Sequence, residues 1–250
     1  MNEASVKYLV EFFASLDLLA PADPDSTRRA LKLVPLGANS VIVDAGCGTG
    51  RQTLQLLEET RSHIIAVDLE TALLDGLWQR AESRGLAHRL SVEEANMLSL
   101  PFSKSSVDLI YCEGAVYNVG LESALDSWRP LLKTGGHVCF SDAAYSTEDP
   151  PAEVRAFWEA EYPGISRPEH ARQVAIDKGY DPVDFFWMPS EGWEAYYTPV
   201  AHRIEELAEA WAEDETGLQV LESIRNEVSL YKRHGSTYGY YFMILQKGSR

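Results

Sequence analysis

Val41-Ile42-Val43-Asp44-Ala45-Gly46-Cys47-Gly48-Thr49-Gly50 decides how the rest of the chain is read. Its β-branched opening marks a short buried strand. Glycine then takes every second position from Gly46 to Gly50, and a helical pattern follows with Leu54, Leu56 and Leu57 set among Gln, Thr and Glu. Strand, glycine-rich turn and helix make the opening of a nucleotide-binding α/β unit. Glycine lets a ligand approach where a Cβ would clash, and the helix offers its free N–H groups at the same point. A dinucleotide fingerprint, G-x-G-x-x-G, would put its third glycine where this chain has Arg51. The same residues also suit a tight strand-to-helix connection with no ligand.

With its third glycine at Gly50 and Asp44 two residues before the first, the pattern resembles the first motif of the class I S-adenosylmethionine (SAM) methyltransferases. The resemblance implies that Asp44, Gly46, Gly48 and Gly50 shape the methionine end of SAM. His63-Ile64-Ile65-Ala66-Val67-Asp68 reads as a second strand ending in an acid, 22 residues after Gly46. That is close to the interval at which an acid reaches a ribose diol, although a strand-terminal Asp also caps helices. A third strand over about 89–95 leads to Asn96-Met97. The resemblance implies that these two frame the adenine. Asn96 stands where many members have Asp, and its carbonyl oxygen can accept the same bond; an Asn there also suits a plain turn.

Val107-Asp108-Leu109-Ile110-Tyr111-Cys112-Glu113 reads as a fourth strand, and ligands in open parallel sheets bind outside such strand ends. The run Glu113-Gly114-Ala115-Val116-Tyr117-Asn118-Val119-Gly120 resembles one in bacterial methyltransferases of small-molecule or uncharacterised type. The similarity extends to Trp158, Tyr162-Pro163, Gly179-Tyr180, Trp193, Tyr197 and Tyr238-Gly239-Tyr240. Methyl transfer from a sulfonium is a direct displacement, so it needs orientation more than acid–base chemistry. It needs no metal, and a base only for a protonated nucleophile. Glu113, Tyr117 and Asn118 are the candidates to orient or deprotonate an acceptor, with Asp142 at the end of the fifth strand beside them. Glu113 reads equally as a buried carboxylate bonded to backbone N–H groups. Trp158, Trp193 and Tyr197 are candidate walls for an apolar or cationic acceptor, or plain core. His170 in Arg167-Pro168-Glu169-His170 reads as a surface histidine. Cys112 lacks the Pro-Cys pair of cytosine methyltransferases and reads as a buried strand cysteine.

Composition narrows the classes. The chain has 250 residues, 45% of them hydrophobic, and a formal charge of −16. Such acidity opposes binding to a phosphate backbone or an anionic membrane. No run of apolar residues is long enough to span a bilayer. Met1-Asn2-Glu3-Ala4-Ser5 lacks the basic start of a signal peptide. Three scattered cysteines give neither a zinc spacing nor a disulfide framework, which points to a reducing cytoplasm.

Further elements follow from periodicity. A helix over 5–18 and a second one, capped by Asp25 or Ser26 and running through Leu33, precede the first strand; Thr27 and Arg28 read as surface or as reaching a carboxylate. In the methyltransferases such helices often fold over the cofactor. The helix after Asp68 stops near Gly85, and one over about 125–132 ends in the turn Lys133-Thr134-Gly135-Gly136 before a fifth strand. Of 26 aromatic residues, 17 lie in the last 106 positions, so a second apolar surface is needed late in the chain. An insertion over about 147–178 is expected to pack on the sheet's C-terminal edge. Strands at 184–187 and 240–245 and helices at about 200–213 and 217–232 complete the pattern. The expected architecture is α/β: a Rossmann-like, doubly wound, mostly parallel seven-stranded sheet with N-terminal helices and a helical, aromatic cap. It forms a single domain, divided as 1–38, 39–145 and 146–250. The expected function is SAM-dependent methylation of a small molecule in the cytoplasm, with no metal and no nucleic-acid or membrane partner. A non-catalytic SAM-binding regulator and an NAD-dependent oxidoreductase are the rivals.

Overall fold

The computed structural model describes residues 3–14, 16 and 18–249. The reading of Met1 and Asn2, and that of Ser15 and Asp17 in the first helix, lies outside the described residues. The described strands are β1 (Val41–Ala45), β2 (His63–Asp68), β3 (Leu90–Glu94), β4 (Val107–Glu113), β5 (Leu132–Tyr145), β6 (Tyr180–Trp187) and β7 (Tyr238–Lys247). They form one sheet in the order β3-β2-β1-β4-β5-β7-β6. The pairs from β3 to β5 are parallel, and β7 lies antiparallel between β5 and β6. After β3 the chain crosses back to the other side of β1, so a crevice opens beyond the C-terminal ends of β1 and β4.

Both faces of the sheet are covered, so successive strand residues alternate between two buried clusters. Ile42, Leu109 and Tyr111 face one cluster; Val43, Ile110 and Cys112 face the other. On the first face lie α1 (Glu3–Phe13), α2 (Pro24–Lys32), α3 (Arg51–Glu59), α4 (Thr71–Ser83), α8 (Ser190–Ala210) and α9 (Glu215–His234). On the second lie α5 (Leu121–Trp128) and α7 (Pro168–Asp177), while α6 (Ala152–Glu161) adds Val154 to the first. The late aromatics bury β7. Trp193 stacks on Tyr231 with ring centroids 4.8 Å apart, and Phe186 on Phe242 at 5.2 Å.

Several boundaries differ from the sequence reading. The cap of α2 is Asp23, whose Oδ2 accepts the Ser26 N–H at 2.8 Å, with Pro24 in the first turn where a missing N–H costs nothing. Helix α5 stops at Trp128, and Lys133-Thr134-Gly135-Gly136 belongs to β5. The register jumps there, from Val107 opposite Leu132 to Leu109 opposite His137, so the expected turn is a bulge, with Gly135 at φ +74°. Helix α8 begins at Ser190, ten positions before the expected start, and carries Pro199 inside it. Burial of Trp193, Tyr196 and Tyr197 on this helix outweighs the hydrogen bond that the proline removes. Strand β6 starts at Tyr180 rather than 184; Pro182 is tolerated because β6 is an edge strand with a shift beside that residue. Among the described residues, no helix is long and apolar enough to cross a membrane.

Candidate active site

The glycine turn is pulled over the end of β2. Gly46 and Cys47 both donate their N–H groups to the Val67 carbonyl, at 2.8 and 3.0 Å. Gly46 has φ +76°, and a Cβ on it would sit 2.8 Å from both Ala115 Cβ and Met97 Cε. Gly50, also at φ +76°, starts α3 and packs against Leu77. Positive φ and close approach together explain why these positions are glycine.

Around the turn lie three carboxylates. Asp68 Oδ2 accepts the Gly48 N–H at 2.8 Å, and its Oδ1 accepts the Glu70 N–H at 3.1 Å. These bonds fix the carboxylate and leave it further lone pairs. Asp44 is 1% exposed and accepts from Thr53 Oγ1 at 2.5 Å. Its burial pushes the carboxyl up to about 7, and the charges of Glu113 and Asp68 add to the rise. Glu113 is half-buried and accepts from the Tyr111 phenol, from Thr27 Oγ1 at 3.1 Å and from Gln52 Nε2 at 3.4 Å. Desolvation raises its carboxyl, against the pull of these donors.

Asn96 Oδ1 accepts the Leu98 N–H at 2.8 Å, so the amide forms a turn and offers a ligand only its remaining capacity. The Met97 carbonyl is held by Trp128 Nε1–H at 2.7 Å. Tyr117 and Asn118 lie on a short 3-10 turn, Val116–Asn118, where Asn118 Nδ2 donates to the Ala115 carbonyl at 3.1 Å. Tyr117 is 37% exposed and its ring lies 5.8 Å from that of Tyr162.

A cavity of about 520 Å³ joins these groups. Asp44, Gly46, Gly48, Asp68, Asn96, Met97, Glu113, Tyr117 and Asn118 all line it; Gly50 does not, and acts instead through the start of α3. Leu18, Leu19 and Ala20 close one side, so the connection between α1 and α2 covers the cavity rather than the helices themselves. None of the described lining residues is Lys, Arg or His.

The other candidate residues stand away from this cavity. Trp158, Trp193 and Tyr197 do not line this cavity; they sit in the aromatic cluster behind it. His170 is exposed near the start of α7, and Cys112 is fully buried in β4. Thr27 reaches Glu113, whereas Arg28 pairs with Asp25 and Glu59 on the surface. Thr53, Tyr111 and Trp128, which hold the site's residues in place, carry no signal in the sequence beyond ordinary helix and strand patterns.

Residues 42–136 match the family described as Methyltransferase domain. Methyltransferase GfsG of Streptomyces halstedii is 25% identical over 130 residues, 52% of this chain and 47% of that protein. The chain thus spans about half the length of that relative. A SAM-dependent methyltransferase from Thiobacillus denitrificans, solved in complex with S-adenosylhomocysteine, superposes at TM-score 0.81 with 17% identity over 98% of each chain. The [4+2]-cyclase SpnF has the same fold, at TM-score 0.76 and 16% identity over 97% of this chain and 93% of its own. Residues 42–136 thus match a methyltransferase domain, and the chain shares its fold with a SAM-dependent methyltransferase.

Proposed function

We propose that the protein transfers a methyl group from SAM to a small-molecule acceptor. The observation that carries this reading is the charge of the cavity: Asp44, Asp68 and Glu113 line it without a basic side chain among the described residues. SAM brings a sulfonium and an ammonium, which three carboxylates favour. A dinucleotide brings two phosphates, which the same carboxylates repel in a low-dielectric crevice. The glycine turn also lacks the third dinucleotide glycine, having Arg51 in its place.

The residues present therefore fit SAM. Asp68 is fixed to accept from a ribose diol, and the backbone at Gly46 and Gly48 approaches the methionine end. Asn96 and Met97 frame the adenine. Glu113 and Asp44 supply negative charge near the methionine ammonium. When bound, SAM supplies a methyl carbon open to in-line displacement. Tyr117 and Asn118 then set the direction from which an acceptor lone pair arrives, an orientation effect. Work in the cytoplasm on a free metabolite, without nucleic acid, belongs to the same proposal and is supported by the charge of −16. Because SpnF is a cyclase on this fold, binding without methyl transfer is the second reading.

Asp68→Ala tests the assignment. It removes a charged acceptor, so affinity for S-adenosylhomocysteine is expected to fall by at least about tenfold. Unchanged affinity in a normally folded variant would refute the ribose role.

A further inference from the structure

We infer that Tyr111 and Thr27 are positioning residues for the cofactor: they anchor one oxygen of Glu113 so that its other oxygen receives the ammonium at the methionine end. The inference rests on the methyltransferase reading and adds the parts of the chain that set recognition of the amino acid moiety.

The bonds divide the Glu113 carboxylate into a held oxygen and a presented one. Tyr111 stands two positions before Glu113 in β4, so both side chains leave the same face of the sheet. Its ring is fully buried, and its phenol donates to Glu113 Oε2. Thr27, 1% exposed on α2, donates to that same oxygen across 3.1 Å; the Asp23 carbonyl, at 3.4 Å, is the more distant acceptor for this hydroxyl. Oε1 receives only the Gln52 Nε2 bond at 3.4 Å, long for a hydrogen bond. Glu113 and Gln52 line the cofactor cavity, whereas Tyr111 and Thr27 do not. The two donors therefore act on a ligand only through Glu113, and Oε1 keeps capacity to accept from one.

The charge of Glu113 is left for a ligand to meet. Tyr111, Thr27 and Gln52 are all neutral donors. Arg51 lies within electrostatic reach but does not line the cavity, and no ion pair to Glu113 is present among the described residues. Asp44 lies within electrostatic reach of Glu113, lines the same cavity and is held from behind in the same manner, by the Thr53 hydroxyl. An ammonium, with three N–H donors and a positive charge, suits two such carboxylates. Anchoring Oε2 beforehand lowers the ordering cost of that contact. Burial favours the neutral form of Glu113, and the Tyr111 and Thr27 bonds oppose this by favouring the charged form. Losing either donor both loosens the carboxylate and weakens its charge.

The test compares two ligands by calorimetry: S-adenosylhomocysteine and its desamino analogue, in which hydrogen replaces the amino group. The wild type is expected to prefer S-adenosylhomocysteine by about tenfold or more. Tyr111→Phe, Thr27→Val and Glu113→Gln should each reduce that preference by about threefold or more, through weaker binding of S-adenosylhomocysteine with little change for the analogue. Thr27→Ser returns the hydroxyl and should restore S-adenosylhomocysteine affinity to within about twofold of the wild type. A purely structural role would weaken both ligands alike, and that result would overturn the inference. So would unchanged S-adenosylhomocysteine affinity in folded variants, or equal losses in Thr27→Ser and Thr27→Val. If Tyr111→Phe fails to fold, the two Thr27 variants decide. Failure of the wild type to bind S-adenosylhomocysteine would instead strike the methyltransferase reading.

Discussion

Tyr162 donates its phenolic hydrogen to Asp142 across 3.0 Å, tying the end of α6 to the end of β5. Tyr162 also touches Tyr117, so this one bond links the late helical segment to the turn that lines the cofactor cavity. Burial pushes the Asp142 carboxyl up to about 7, and the Tyr162 and Ala143 donors oppose that rise.

Tyr162→Phe keeps the ring and removes the donor. A loss of about 1 kcal/mol of stability is expected. The Asp142 carboxyl should move higher still, because a bond to its charged form is gone. Urea denaturation checks the first effect. A shift of the pH dependence of folding stability to higher pH than in the wild type checks the second.

Asp142→Asn should make stability less sensitive to pH. The buried carboxyl, held up to about 7, keeps its proton in the folded state at pH values where the unfolded chain has released it. Its stabilising contribution is complete below the unfolded value and disappears as pH rises through about 7. The asparagine carries no such proton, so the variant should gain on the wild type by roughly 2 kcal/mol between about pH 5 and about pH 7. A constant difference across that range would show that Asp142 titrates normally.

Two glycines separate a constrained site from a tolerant one. Gly46→Ala places a Cβ 2.8 Å from Ala115 Cβ and Met97 Cε at φ +76°. It should cost roughly 1–3 kcal/mol and weaken cofactor binding at least about tenfold. Gly76→Ala, inside α4 with no atom within 4 Å of the new Cβ, should stabilise by about 0.5–1 kcal/mol. Thermal melts of the two variants check both signs.

The core was legible because its signals are local. β-branched runs marked β1, β2 and β4, and glycine spacing marked the turn. Asp68 and Glu113 were candidates because they end strands, where open sheets bind ligands, and Asn96 through the family resemblance; all three line the cavity. What was hidden depends on contacts distant in sequence. Thr27 meets Glu113 only because α2 lies over the end of β4, 86 positions away. Asp23 caps α2 from a loop that reads like any other, and the early start of α8 follows from its burial against β7 and α9. Pro199 and Pro182 are unfavourable residue types for a helix interior and a strand, and packing overrides both locally. Trp193 and Tyr197 read as candidate walls or as plain core, because residue type alone does not separate a wall from the layer behind it; the structure puts them in the core.

Thr27→Val tests the link between α2 and the site. Thr27 is 1% exposed, and valine keeps its branched shape while removing the hydroxyl donor. It should cost about 1 kcal/mol, and a double-mutant cycle with Glu113→Gln should return a coupling of about 1 kcal/mol. Zero coupling would mean that the Thr27–Glu113 bond contributes nothing in solution.

Calorimetric titration of the purified protein with SAM, S-adenosylhomocysteine and NAD tests the central claim most directly. The acid-lined cavity and the glycine turn predict binding of SAM and S-adenosylhomocysteine and none of NAD. Binding of NAD without either sulfur ligand would contradict the account and return the chain to the oxidoreductases; no binding of any of the three would reduce the glycine turn to a structural connection.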